Sequence, residues 1–178
     1  MKSWTWKEVF DRGFFQLVWN EIQFYVEHFS RLILLSVLIF QFFGFAIVPT
    51  ESMDPTIQPN DLIVFEKKGK GIHRGDVVVF KKDGELLVKR VVALEHDTVE
   101  VKNGRLWVNG KRIHEPYVRE IPQYELERQR VPKNSVFVLG DNRNHSVDSA
   151  SFGAIPVDQI KGRVTAVLLP LRHLKQVE

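Results

Sequence analysis

Three short segments gather the residues whose types and spacing could do chemistry. Residues 49–56 (PTESMDPT) place the hydroxyls of Thr50 and Ser52 in a turn stiffened by prolines. Residues 86–92 (LLVKRVV) put two adjacent cations, Lys89 and Arg90, inside an apolar run. If that run is a strand, its side chains alternate. Leu87, Lys89 and Val91 then share one face and Val88, Arg90 and Val92 the other, so one of the cations must point inward. A buried lysine loses solvation, which lowers its pKa by up to ~3–5 units when burial is complete. It then serves as a general base near neutral pH, which arginine cannot do because it stays protonated. Residues 140–149 (GDNRNHSVDS) form a dense polar set directly after an apolar run, suited to orienting reactive groups by hydrogen bonds.

Each segment alone also fits an ordinary role: a linker, an edge strand with solvated charges, a long polar hairpin loop. His145 with Asp148 or Asp141 leaves a Ser-His-Asp arrangement open. The six histidines are scattered, with no His pair at i, i+4 around a glutamate, so metal chemistry is not expected. With no cysteine, a thiol nucleophile, a thiolate metal site and disulfides are all excluded.

The elements that must position these residues begin with an apolar run. Residues 32–48 (LILLSVLIFQFFGFAIV) carry no charge. A helix needs about 20 apolar residues to cross a bilayer, with a lower limit of about 17, so the run reads as a short anchor, with Arg31 able to snorkel. Before it, Phe10, Phe14, Val18, Ile22, Tyr25 and Phe29 recur at helical spacing, and Trp4, Trp6 and Trp19 suit an interface. Lys2, Lys7, Arg12 and Arg31 precede the run, whereas residues 49–66 contain neither Lys nor Arg, which places the N-terminus in the cytoplasm and the rest outside. Lys and Arg number 25 against 22 Asp and Glu, a scattered excess of +3 that suits an anionic lipid surface and gives no argument for nucleic acid.

The expected organisation is an amphipathic segment over 1–29, a membrane anchor over 30–45 and a β-rich domain over 46–178, hairpin-rich around 94–134. Asp83-Gly84, Asn103-Gly104 and Asn109-Gly110 are hairpin signals. Residues 115–133, charged and punctuated by Pro116, Pro122 and Pro132, read as a loop, and no helix of useful length is evident after residue 50.

The ordered set resembles the type I signal peptidase family over roughly residues 45–170. PTESMDPTI is similar to its nucleophile box and RGDVVVF at 74–80 to the next. VKRVV at 88–92 resembles the lysine box, and GDNRNHSVDS, followed by FGAIP at 152–156 and GRV at 162–164, the last. The resemblance implies a mainly β fold, a coiled antiparallel β-sheet catalytic domain preceded by a transmembrane helix. It implies Ser52 as nucleophile and Lys89 as general base, with Ser146 orienting the lysine. Thr50 and the backbone N–H of Ser52 would form the oxyanion hole. Arg90 with Asp141, and Asp148, would be supports. Ala46 and Val48 fall where the family lines the pockets for an Ala-x-Ala site, which would end the helix near Phe43. No cofactor and no metal are implied. The implied partners are secretory preproteins and the lipid bilayer, at a bacterial cytoplasmic membrane crossed once.

Glu51 stands where many relatives have glycine, and Ala150 where many have arginine, which leaves the partner of Asp148 open. A self-cleaving repressor-type Ser-Lys peptidase would need an N-terminal DNA-binding motif, and residues 1–48 offer the opposite. An inactive relative that only binds exported proteins would have no need of a lysine among apolar neighbours.

Overall fold

The computed structural model describes residues 12–67 and 71–177, in two units, Met1–Phe42 and Phe43–Glu178. In the first, helix α1 (Arg12–Phe42) runs 31 residues, about 46 Å at 1.5 Å per residue. Its stretch Phe15–Phe42 is long and apolar enough to cross a membrane, and its large apolar side chains, among them Phe15, Leu35 and Phe42, are exposed. An exposed Glu27–Arg31 pair, 3.5 Å apart, spans one helical turn. The helix passes unbroken through the boundary expected at 29/30, because no proline or glycine separates the amphipathic stripe from the apolar run. Trp4, Trp6, Phe10, Lys2 and Lys7 lie outside the described residues.

The apolar run does not stay helical to residue 45. Strand β1 (Phe43–Val48) pairs antiparallel with β2 (Asp61–Lys67) from Phe43↔Glu66 to Val48↔Asp61. Hydropathy is the same on both sides of this switch. What changes is period-two burial, with Gly44 and Val48 buried and Phe45 and Ile47 exposed. Gly44 is required where it stands, since a Cβ there would sit 2.2 Å from the Phe65 ring.

Among the described residues the second unit holds two antiparallel sheets. The larger adds β3 (Val77–Lys82), β4 (Glu85–Ala93), β9 (Ser135–Leu139), β10 (Ile155–Pro156) and β11 (Ile160–Leu169) in the order β1-β2-β11-β3-β4-β9-β10, with β12 (Lys175–Gln176) on β11. Between β4 and β9 the chain makes a smaller sheet of β5 (Thr98–Lys102), β6 (Arg105–Val108), β7 (Lys111–Arg112) and β8 (Leu126–Arg130), in the order β7-β6-β5-β8. The three expected hairpins close with positive φ at both turn residues: Asp83-Gly84, Asn103-Gly104 and Asn109-Gly110.

Strand β8 corrects the loop expected over 115–133. Its sequence LERQR has a single apolar residue and is half exposed, so no alternation of apolar residues announces it; pairing with β5 and the packing of Leu126 on the core hold it. A four-residue helix α2 (Ser149–Phe152) follows β9. A buried cluster of Val48, Met53, Ile57, Ile63, Phe65, Val77 and Val88 carries β1 and the turn after it against the sheet, and Ala46 packs on its margin.

Candidate active site

Strand β4 resolves the question of which cation points inward: both do. Lys89 is 3% and Arg90 2% exposed. In register Lys89 pairs with Val78 and Arg90 with Val77, so alternation sends them to opposite faces of a strand covered on both sides. Lys89 Nζ lies 2.7 Å from Ser52 Oγ and donates to the Val88 carbonyl at 2.9 Å. Burial, set against the nearby carboxylates of Asp148 and Asp141, pushes the Lys89 ammonium down to about 8. At that value a usable fraction of the amine is neutral near pH 7, within hydrogen-bond distance of the hydroxyl.

Ser52 is itself buried, at 6% exposed. Its turn is short because Asp54 N–H donates to Glu51 O and Ile57 N–H to Met53 O. Thr50 Oγ1 lies 3.2 Å from Ser52 Oγ. From the far side, Asn142 N–H donates to Ser52 O at 3.1 Å, and Asn142 Nδ2 donates to Glu51 O at 3.2 Å. Gly140 makes room for this approach: a Cβ there would sit 2.3 Å from Ser146 Oγ and 2.5 Å from Ser52 O.

Arg90 binds Asp141 in a bidentate fork, Nε to Oδ1 at 2.9 Å and Nη2 to Oδ2 at 2.8 Å. Arg90 also donates to Gly75 O at 2.8 Å, and the Thr56 hydroxyl donates to Asp141 Oδ2. Both ions are essentially inaccessible to water. Removing one partner of such a pair costs ~3–5 kcal/mol, because the other is left buried and uncompensated. The pair therefore ties β4, the turn before β3, the Ser52 turn and the loop after β9 into one rigid unit.

Ser146 stands differently from expectation, and Asp148 finds partners other than an arginine. Ser146 Oγ is buried without a hydrogen-bond partner, beside Gly140 rather than on the Lys89 amine. Asp148, which lacks an arginine at 150, accepts from Gly140 N at 2.9 Å and caps α2 by accepting from Ala150 N at 3.1 Å. His145 lies 3.6 Å from Glu51, both side chains over half exposed, and the Ser52 hydroxyl is paired with Lys89 and not with His145, so the Ser-His-Asp arrangement is not formed. Val48 is 3% exposed and shares its buried cluster with Met53 and Val88, the neighbours of Ser52 and Lys89 in the chain, while Ala46 is half-buried.

Sequence reading missed Thr56, Gly140 and Asn142 as members of the site. All three lie within the very segments singled out, and their proximity to Ser52 and Asp141 was the available signal. A cavity of about 740 Å³ lined by Ile72, Val78, Leu94, Val136 and Ile160 includes neither Ser52 nor Lys89. A buried serine hydroxyl against a buried lysine amine of lowered pKa can support acyl transfer by a nucleophile and a single base.

Residues 22–169 match the family model described as signal peptidase, peptidase S26. The signal peptidase I of Leptolyngbya laminosa is 36% identical over 73% of this chain and 70% of its own length. Signal peptidase I U of Bacillus subtilis is 33% identical over 83% of this chain and 89% of its own. The solved structure of a signal peptidase I from Enterococcus faecalis, 30% identical, superposes with a TM-score of 0.50 over 54% of this chain and 98% of that one.

Proposed function

The chain belongs to the signal peptidase family, peptidase S26, and on that premise we propose that it cleaves signal peptides from exported preproteins with Ser52 as nucleophile and Lys89 as general base. The observation that carries this reading is the 2.7 Å contact between a buried lysine amine and the Ser52 hydroxyl. Neutral Lys89 takes the proton as Ser52 Oγ attacks the carbonyl carbon of the scissile bond. The negative charge that develops on the carbonyl oxygen is met by the Ser52 N–H and the Thr50 hydroxyl, donors of a kind that commonly contribute ~10²–10³ in rate each. Lys89 then gives its proton to the leaving amine, the C–N bond breaks, and an ester on Ser52 remains. Water, losing a proton to Lys89, cleaves the ester and restores Ser52. The reaction calls for no metal and no cofactor.

A signal-peptide C-region fits as an added strand, since β1 is an edge strand of the larger sheet. Ala46 and Val48 on β1 would then meet the small side chains of an Ala-x-Ala site. Ser146 would turn its hydroxyl to Lys89 when substrate is bound, and Asp148 and the Arg90–Asp141 pair would hold the frame. The enzyme is membrane-anchored through α1, a reading supported by its length and apolar exposure. The basic residues before the apolar run favour a cytoplasmic N-terminus and an extracytoplasmic domain at a bacterial cytoplasmic membrane.

The test is processing of a preprotein with an Ala-x-Ala site by the full chain in detergent, with the mature N-terminus sequenced. Ser52→Ala and Lys89→Ala should each lose activity by at least ~10³-fold. Wild-type processing by either variant would refute the assignment.

A further inference from the structure

Residues 115–119 (EPYVR), read from the sequence as loop, touch every segment of the site. The Arg90 guanidinium lies over the Tyr117 ring, 4.0 Å from its centroid. Tyr117 Oη donates to Glu115 Oε1 at 3.0 Å. Glu115 receives the Arg143 guanidinium on both oxygens, at 3.0 and 2.6 Å, and the Arg143 side chain is fully buried. Arg143 Nε in turn donates to Gly140 O at 2.9 Å. Arg119 pairs with Asp54, two residues past Ser52, and its N–H donates to Asp141 O at 3.2 Å. One five-residue strap thus holds the lysine strand, the Ser52 turn and the 140–143 loop at once.

We infer that Tyr117 is a positioning residue of the Ser52–Lys89 reaction, acting through Arg90 and Asp141, with Glu115 and Arg119 fixing the strap that carries it. The inference rests on the Ser52–Lys89 reading above. The ring covers one face of the guanidinium, and four of its N–H groups donate to Asp141, Gly75 and Thr56. A cation–π contact is strongest where water is excluded. The ionisable groups around Lys89 are Ser52, its neighbour Arg90, and the carboxylates of Asp141 and Asp148. Around Tyr117 they are Arg90, Glu115 and Arg143. Burial, then the charge of Glu115, pushes the Tyr117 phenol above its ordinary value, so it stays a protonated donor. Without the ring, water reaches Arg90 and Asp141, the fork loosens, and Asp141 is less neutralised. Each of these changes favours the protonated form of Lys89.

The test compares Tyr117→Leu, Tyr117→Phe and wild type as full chains in detergent, on a preprotein-derived peptide, with thermal melts alongside. Tyr117→Leu should lower kcat roughly tenfold, the scale of one desolvated cation–π contact. KM should stay unchanged and the acidic limb of the pH profile should move upward. Tyr117→Phe, which keeps the ring, should restore kcat to within about twofold and return the limb to its wild-type position. Wild-type kcat and an unmoved limb in Tyr117→Leu would overturn the inference. If Tyr117→Leu melts below the assay temperature, Glu115→Gln decides: lowered kcat at constant KM supports the strap, and wild-type kcat overturns it. Ser52→Ala run in parallel separates the two readings. Cleavage by that variant sinks the dyad itself, whereas an inactive Ser52→Ala beside a fully active Tyr117→Leu sinks only the strap.

Discussion

The amine of Lys89 sits 2.7 Å from the hydroxyl oxygen of Ser52, thirty-seven residues earlier in the chain, and its other hydrogen bond goes to the carbonyl of its own neighbour Val88. The contact joins a buried strand to a turn held by backbone hydrogen bonds and by Asn142 from across the site. Neither partner carries a compensating carboxylate in direct contact, so the ammonium form of Lys89 is disfavoured where the neutral form is useful.

Activity should therefore follow the deprotonation of Lys89. With its value near 8 instead of 10.5, kcat/KM should rise with pH along an acidic limb whose midpoint lies near 8. Two pH units below that midpoint only about 1% of the amine is neutral, and the rate should fall in proportion. A profile of kcat/KM from pH 6 to 10 checks this; a limb below pH 6 would assign the titration to another group.

The same burial makes Lys89 costly to the fold. Its folded value lies below its unfolded one, so the unfolded chain binds more protons, and stability rises with pH between about 8 and 10.5. Below 8 the penalty is complete. Lys89→Met, inactive, should be more stable than wild type at pH 7 by up to roughly 3 kcal/mol, with the gap closing as pH approaches 10.5. Denaturant titrations at pH 7 and pH 10 measure it; a gap that widens with pH contradicts the sign.

Gly140→Ala tests the close approach behind the nucleophile. The new Cβ would meet Ser146 Oγ at 2.3 Å and the Ser52 carbonyl oxygen at 2.5 Å. Ser146 can rotate, but the Ser52 backbone can yield only by moving the nucleophile. Overpacking of this kind costs ~1–3 kcal/mol, and kcat should fall tenfold or more, since small displacements of a reacting group are expensive. Unchanged kcat in a folded Gly140→Ala would show that the Ser52 turn tolerates displacement.

Much of the fold was legible because its signals are local. The Asn-Gly and Asp-Gly hairpins need only their own φ values, and the lysine strand and the polar loop after β9 stand out by the contrast of charge with apolar neighbours. The end of α1 was harder, because Phe43 and Phe45 are as apolar as the helix before them and only their pairing with Glu66 and Val64 makes them strand. Strand β8 was hidden because Leu126 is the one apolar residue in Leu126–Arg130. Tyr117, Glu115 and Arg119 were hidden for another reason. Their partners Arg90, Arg143 and Asp54 lie tens of residues away, and nothing in a charged, proline-bearing stretch distinguishes a strap from a solvated loop. That Lys89 and Arg90 are both buried also escaped alternation alone, which assumes a strand with one wet face.

The most direct measurement is the titration of the Lys89 amine itself, followed by NMR on the full chain labelled in its lysine side chains, in detergent, with Lys89→Met identifying the resonance. The account predicts a midpoint near pH 8 that coincides with the acidic limb of kcat/KM. An amine that titrates at its ordinary value near 10.5, in an enzyme fully active at pH 7, would contradict it.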